Sequence, residues 1–263
     1  MTLAASATSP TVRFVFVSSV AAIEGHTASP APEAILTDLN TPAPIGYACA
    51  KFLAELLIDT AGRHLGDIVT TTVIRVGQVA GPVQHPGLWN SHEWLPSLVL
   101  SSIHLGQVPD SLGSRFDDVD FVPVDLLGDI LVDLAMSTTD SGEAQAGAAT
   151  VYNLRNQHLV PWRTLLPAIV AIKPLQVVSP AIWLASLKAS DDTDDGVVVA
   201  RNPAVKLLDF FAGLWATGVQ NERGLLQPMV VDRALSTSTA MRNLEPVKVE
   251  WMRKWVEEWI GVR

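Results

Sequence analysis

The sequence is poor in the residues that most reactive centres need. Its single cysteine, Cys49, permits no disulfide within the chain, which fits a reducing compartment. The six histidines, at positions 26, 64, 85, 92, 104 and 158, show no His-x-x-x-His spacing and no Cys-x-x-Cys accompanies them, so a zinc site has no support. A Gly-x-Ser-x-Gly elbow is also missing, which removes the support for a hydrolase triad of that kind. Positive charge is scarce: 18 Lys and Arg stand against 27 Asp and Glu, a formal net charge of -9, and no basic cluster offsets it. A nucleic-acid partner is therefore not expected. No apolar run approaches the ~20 residues needed to cross a bilayer. Residues Met1 to Val20 lack a basic segment ahead of their apolar residues, which alternate as in a strand rather than a signal peptide. The expectation is a soluble, cytoplasmic protein without a membrane partner. The run Asp191, Asp192, Asp194 and Asp195 lacks the glycine turn and distal glutamate of a calcium loop and reads as a solvated loop. No internal repeat, low-complexity segment or clear linker is present.

What the sequence does contain is a globular composition, 48% hydrophobic and 17% charged over 263 residues, enough for one large domain or a domain with a smaller lobe. Thr11 to Ser19 (TVRFVFVSS) reads as a buried strand ending in a serine pair. A long connection follows, from Val20 to Ala43, and loops of that length in compact domains often carry function. The helix expected from about Gly46 to Ala61 places Cys49, Phe52, Leu53, Leu56 and Leu57 on its core side, with Gly62 as its stop. Ile68 to Val76 (IVTTTVIRV) reads as a second buried strand. Strand, helix and strand make a right-handed crossover in a parallel sheet, and ligands of such sheets sit beyond the carboxyl ends of the strands. Ser19 and Gly77-Gln78-Val79 fall there. Beyond this, a mostly irregular stretch runs to Asp120 with a short helix at Leu95 to Leu105. Phe121 to Val124 and Thr150 to Leu154 are short strands, and Asp125 is expected to cap the helix between them. Further helices are expected at Trp162–Ile172, Ala181–Ala189, Ala204–Ala216 and Val247–Ile260, the last with Trp251, Trp255 and Trp259 as a packing stripe.

Tyr47 and Lys51 lie four residues apart in the first helix, so both project from one face. A cation beside a phenol favours the ionised form and makes it a better proton donor near neutral pH. A serine at a strand end followed by Tyr-x-x-x-Lys on the next helix, together with FVFVSS (Phe14–Ser19), GYACAK (Gly46–Lys51) and IRVGQVAGP (Ile74–Pro82), resembles the extended branch of the short-chain dehydrogenase/reductase superfamily. More narrowly, Arg75 to Pro82, Trp89-Asn90, Glu93-Trp94, Asp120 to Asp125, Tyr152-Asn153-Leu154 and Pro161-Trp162 resemble the terminal thioester reductase domains of fungal synthetase-like enzymes, relatives of carboxylic acid and aminoadipate reductases. The resemblance covers nearly the whole chain.

It implies an α/β fold: an incomplete Rossmann-like parallel sheet, residues 1–85, with the catalytic residues, and a mixed, mostly helical C-terminal substrate lobe with remaining core elements over 86–263. It further implies NADPH-dependent reduction of a carrier-bound acyl thioester to an aldehyde or alcohol. Tyr47 would protonate the substrate oxygen, Lys51 would assist it and hold the nicotinamide ribose, and Ser19 would bind the developing oxyanion. Gln78, Gly81 and Pro82 would lie beside the nicotinamide, and Trp89, Asn90 and Trp94 would line the acyl or phosphopantetheine channel. The implied partner is an acyl-carrier or peptidyl-carrier domain.

The chain departs from the family in one respect. No Gly-x-x-Gly-x-x-Gly turn, which holds the cofactor pyrophosphate in full members, occurs in these 263 residues. NADP is therefore implied by the resemblance and not by a nucleotide-binding motif. The strand Thr11 to Val17 is expected to present an apolar edge open to a nucleotide-binding half or to self-association. Two other readings stay open: a non-reductase that binds a small molecule or partner, and a cofactor-independent isomerase or cyclase using Ser19, Tyr47 and Lys51 for proton transfer.

Overall fold

The computed structural model describes residue 6 and residues 12–66, 68–137, 147–190, 202–216 and 228–261. The run Asp191 to Asp195 lies outside these, as does Thr11. In chain order the main elements are β1 (Val12–Ser19), α1 (Gly46–Leu65), β2 (Val69–Val76), α2 (Trp94–Leu105), β3 (Gln107–Pro109), α3 (Val124–Met136), β4 (Thr150–Leu154), α4 (Trp162–Ile172), β5 (Gln176–Val178), α5 (Pro180–Ala189), α6 (Leu208–Leu214), α7 (Asp232–Thr237), α8 (Thr239–Arg242) and α9 (Val249–Gly261). They form two compact units, each assembled from three stretches of chain: Met1–Val79, Leu126–Asn156 and Leu226–Leu244 in the first, and Ala80–Asp125, Gln157–Leu225 and Glu245–Arg263 in the second.

The first unit is an α/β layer around a parallel sheet of order β1-β2-β4. β1 pairs with β2 from Val12↔Val69 to Ser19↔Val76, and β2 with β4 from Thr72↔Thr150 to Val76↔Leu154. The β-α-β crossover expected from the sequence is therefore present, and β1 has a strand neighbour on one side only among the described residues. Ser19 closes β1 and caps a short 3-10 turn, Val20–Ile23, its Oγ accepting from the Ala21 amide at 3.2 Å.

α1 seats differently from the periodicity argument. Its buried residues are Ala48, Phe52, Glu55, Ile58, Asp59 and Gly62, whereas Leu53 and Leu57 are exposed and so is Cys49. The buried face is defined by anchors rather than by leucines. Asp59 accepts from the Ala149 amide at 2.9 Å and from Arg63 Nε at 2.9 Å. Gly62 does not stop the helix, which runs on to Leu65. A Cβ there would lie 2.4 Å from Thr71 Oγ1 and 2.7 Å from the Gly147 carbonyl, so glycine lets the helix approach β2 closely. Asp125 also departs from expectation: the helix begins at Val124, and the Asp125 carboxylate accepts from the amides of Val83 and Gln84 at 2.8 and 2.7 Å.

The second unit is helical, with small two-stranded ladders, among them β3 with β5, parallel, and Asp118–Val119 with Val160–Pro161, antiparallel. Its core is aromatic. Trp89, Trp162, Trp183, Trp255 and Trp259 are buried with Phe116, Phe121 and Phe211, and the C-terminal tryptophans pack inward as their spacing implies. The helix expected over Ala204–Ala216 is divided into a 3-10 turn, Pro203–Leu207, and α6. Among the described residues no helix is long and apolar enough to cross a membrane.

Candidate active site

Tyr47 and Lys51 occupy the first turns of α1, which is preceded by the extended residue Ile45. Tyr47 is 57% exposed. Lys51 folds back over the sheet so that Nζ donates to the Val17 carbonyl at 2.8 Å. It stands 4.8 Å from the Phe16 ring centroid and 5.7 Å from that of Tyr47, both within cation-π range. An ammonium has three donors, and the carbonyl engages one of them. Among the described residues no carboxylate is paired with it, which leaves two of its donors for a ligand. Ser19 uses its oxygen to accept from Ala21, which leaves its O–H free to donate.

The neighbouring serine is committed elsewhere. Ser18 is buried, and its Oγ donates to Glu55 Oε1 at 2.5 Å. Ser19 is thus the serine of the pair whose hydroxyl remains available at the strand end. Glu55 is in turn held by Arg75, whose Nε reaches both carboxylate oxygens at 3.1 Å and whose Nη2 reaches Oε2 at 2.7 Å. Neither side chain is more than 2% exposed. Arg75 also donates to the carbonyls of Pro32 at 3.3 Å and Ala34 at 3.0 Å and to Asn153 Oδ1 at 3.4 Å.

A second polar knot organises the long connection. Glu33 accepts from the amides of Asn153, Arg233 and Ala234 at 3.2, 2.6 and 3.0 Å, which places its carboxylate at the N-terminus of α7. Burial pushes the Glu33 carboxyl above its ordinary value, opposed by these amides and by the Arg233 charge. Asp133, by contrast, is held below the usual carboxylate range by the Ala240 amide and the Ser238 hydroxyl, which it accepts at 3.0 and 2.9 Å. Sequence reading missed Glu55, Arg75, Glu33 and Asn153 as parts of the site's support. The available signal was Glu55 four residues beyond Lys51, and an arginine inside a strand that reads as buried.

Of the residues matched to a cofactor pocket, Gln78 donates from Nε2 to the Val79 carbonyl at 2.9 Å. Gly81 and Pro82 are buried in the second unit. A Cβ on Gly81 would lie 2.8 Å from the Trp255 ring, and the Pro82 carbonyl accepts from Trp255 Nε1 at 3.1 Å and Lys254 Nζ at 2.9 Å. Trp89 is an inner member of the aromatic core, 4% exposed, 5.2 Å from Trp255, with Nε1 donating to Glu93 at 2.9 Å. Asn90 is exposed and accepts from the His92 amide at 3.1 Å, while Trp94 stacks on Phe116 at 4.6 Å. The structure therefore sets Lys51, with the Tyr47 ring beside it, against the end of β1, the strand that Ser19 closes, within the first unit, and gathers Gly81, Pro82 and Trp89 around α9 in the second.

Comparison with known proteins agrees with the landmarks. Residues 1–131 match an NAD-binding family model described as male sterility protein. The chain is 33% identical over 253 residues to a carboxylic acid reductase of Neurospora crassa, covering 94% of this chain and 23% of that protein. It is 28% identical over 272 residues to the adenylate-forming reductase Nps9 of Serpula lacrymans, covering 95% of this chain and again 23% of the relative. It thus spans about a quarter of the length of these relatives. Among solved structures, the terminal R domain from the myxalamid PKS-NRPS biosynthetic pathway superposes with a TM-score of 0.70 at 19% identity, covering 95% of this chain and 58% of that one, which establishes the shared fold. Residues 1–131 thus match the NAD-binding family, and over nearly its whole length the chain is a homologue of a carboxylic acid reductase and of adenylate-forming reductases.

Proposed function

We propose that the chain supplies the proton-donating and substrate-binding part of a thioester reductase, acting on an acyl group carried as a phosphopantetheine thioester on an acyl-carrier or peptidyl-carrier domain. The observation that carries this reading is the grouping on one helix face and one strand end of three donors with unused capacity: the phenol of the exposed Tyr47, the ammonium of Lys51 without a carboxylate partner, and the O–H of Ser19.

Their division of labour follows from their chemistry. Ser19 donates to the thioester oxygen and stabilises the negative charge that develops there. Tyr47 delivers the proton to that oxygen, with the Lys51 ammonium 5.7 Å from its ring centroid. A reduced nicotinamide, NADPH in this reading, would when bound supply the hydride for the carbonyl carbon. The resulting hemithioacetal loses the carrier thiol as its C–S bond breaks, giving an aldehyde; a second round would give the alcohol. The two spare donors of Lys51 suit a ribose diol. The residues present therefore fit the nicotinamide-ribose end of the cofactor, and Gln78, beside the end of β2, completes that side.

The test is titration of NADPH fluorescence with the purified chain, followed by NADPH oxidation in the presence of octanoyl phosphopantetheine as the probe substrate. Saturable binding at micromolar levels and an oxidation rate that depends on Tyr47 support the proposal. An unsaturable titration overturns it for this chain. Oxidation that survives Tyr47→Phe unchanged overturns the role of the phenol.

A further inference from the structure

Tyr47, Lys51 and Glu55 follow one another at four-residue intervals along α1, so their side chains form a single row down one face of the helix. We infer that Glu55 and Arg75 form a positioning pair that fixes where this row, and with it Tyr47 and Lys51, stands against the end of β1. The kinetic consequence rests on the reductase reading above; the structural consequence rests on the geometry alone.

The row is fastened at two consecutive residues of β1. Lys51 Nζ donates to the Val17 carbonyl at 2.8 Å, and Glu55 accepts from Ser18 Oγ at 2.5 Å. From the adjacent strand, Arg75 grips the same carboxylate through Nε and Nη2. An arginine fork is planar and directional, so this contact fixes the rotation of α1 about its axis as well as its distance from the sheet. Apolar side chains would fill the same space without fixing that rotation. The remaining donors of Arg75 go to Pro32, Ala34 and Asn153. Pro32 and Ala34 lie on the connection that leads from Ser19 to Tyr47. One guanidinium thus ties together the helix bearing Tyr47 and Lys51 and the chain that joins them to Ser19, and it reaches β1 through the carboxylate it shares with Ser18.

Stability alone does not account for such a pair. A buried ion pair is often replaceable by well-packed apolar groups with no loss of stability, whereas small displacements of catalytic groups cost on the order of 100-fold in rate. Arg75 and Glu55 are the kind of interaction that trades little in stability for precision in placement. Neither contacts the reacting atoms in this reading, and their role is exerted through Tyr47 and Lys51.

The chain's composition makes this testable without turnover. Its tyrosines are Tyr47 and Tyr152, so meta-fluorotyrosine labelling gives two fluorine resonances, assigned with Tyr152→Phe. The double variant Glu55→Gln with Arg75→Met removes both charges together. It is expected to melt close to the wild-type temperature, to shift or broaden the Tyr47 resonance, and to lower kcat for octanoyl phosphopantetheine on the order of 10- to 100-fold with little change in KM. Ser18→Ala and Glu55→Asp, which leave Arg75 a partner, are expected to move the same resonance by less. Ser238→Ala, at the distant Asp133 cap, is expected to lower the melting temperature and leave the Tyr47 resonance in place. A folded double variant with unchanged Tyr47 resonance and kcat overturns the inference. If the double variant does not fold, folded Ser18→Ala and Glu55→Asp proteins that leave the resonance unmoved do the same. Should wild type fail to oxidise NADPH while the variants still displace the Tyr47 resonance, the reductase reading falls and the positioning pair stands.

Discussion

The two units solve the problem of holding a shape by opposite means. All eight tryptophans of the sequence lie in the stretches that make up the second unit, and several of them meet edge to face, as Trp89 does with Phe121 and Trp255 at 5.9 and 5.2 Å. The first unit has none and places charge at its centre instead: Arg75 against Glu55, with Glu33 bonded to three amides close by. Aromatic packing is strong but tolerant of small rotations. Charge-assisted hydrogen bonds are directional and punish misplacement. The proposed proton-transfer chemistry sits in the unit built by directional contacts, and the aromatic unit carries the residues matched to substrate binding. The difference teaches that precision and bulk are distributed between different parts of one chain.

Four experiments test that contrast. The largest effect is expected in the aromatic unit, where Trp255→Ala opens a cavity worth about 3–5 kcal/mol and removes a donor from the Pro82 carbonyl, a further ~1 kcal/mol. Urea denaturation followed by tryptophan fluorescence measures it, and a loss below about 2 kcal/mol would contradict a single cooperative aromatic core. Next is Arg75→Met alone, which strands the Glu55 carboxylate and is expected to cost about 3–5 kcal/mol; adding Glu55→Gln is expected to restore most of that loss. If the second change fails to rescue, the pair is holding the unit up rather than placing its parts.

Gly62→Ala is expected to cost about 1–3 kcal/mol through overpacking against Thr71 and Gly147, although alanine favours helix by about 1 kcal/mol over glycine. A stabilised Gly62→Ala protein, measured by its thermal midpoint, would show that α1 has room to move. The smallest effect is the pH dependence of the Glu33 knot. Its folded pKa is raised above the ordinary 4.5 by burial, so the folded form binds its proton more tightly. That contribution to stability is present below the unfolded value and is lost as pH rises through the raised one. Glu33→Gln is expected to flatten the wild-type decline in urea midpoint over that range. Asp133 acts oppositely: its pKa is lowered from 3.8, so its contribution is present above that value and is lost as pH falls below it.

The crossover of β1, α1 and β2 was legible because apolar strands rich in β-branched residues and a glycine-started helix announce themselves by local pattern. But β1 is not the buried strand its composition suggests: of its residues only Ser18 is buried, and Val17 is exposed. The seating of α1 was not. Leu53 and Leu57 look like a core face to any periodicity argument, yet they are exposed, because the helix is pulled round by Glu55, Asp59 and the close approach at Gly62. Polar anchors and close backbone contacts leave no hydrophobic period to detect. Tyr47, Lys51 and Ser19 were readable from residue type and spacing. Their support was not, because it depends on Pro32 and Ala34 carbonyls and on Asn153, far from Arg75 in the chain. Trp89 illustrates the converse: its motif points to a channel, while its side chain lies inside the aromatic core.

The bond from Lys51 ends on the main chain, at the Val17 carbonyl. Every amino acid offers that oxygen, so no replacement of the side chain at position 17 can delete it. Drift at this point of the sequence is therefore tolerated, and what lineages must preserve is the path of the strand. A one-residue insertion or deletion in β1 would do what no point substitution there can: carry the acceptor away from the ammonium.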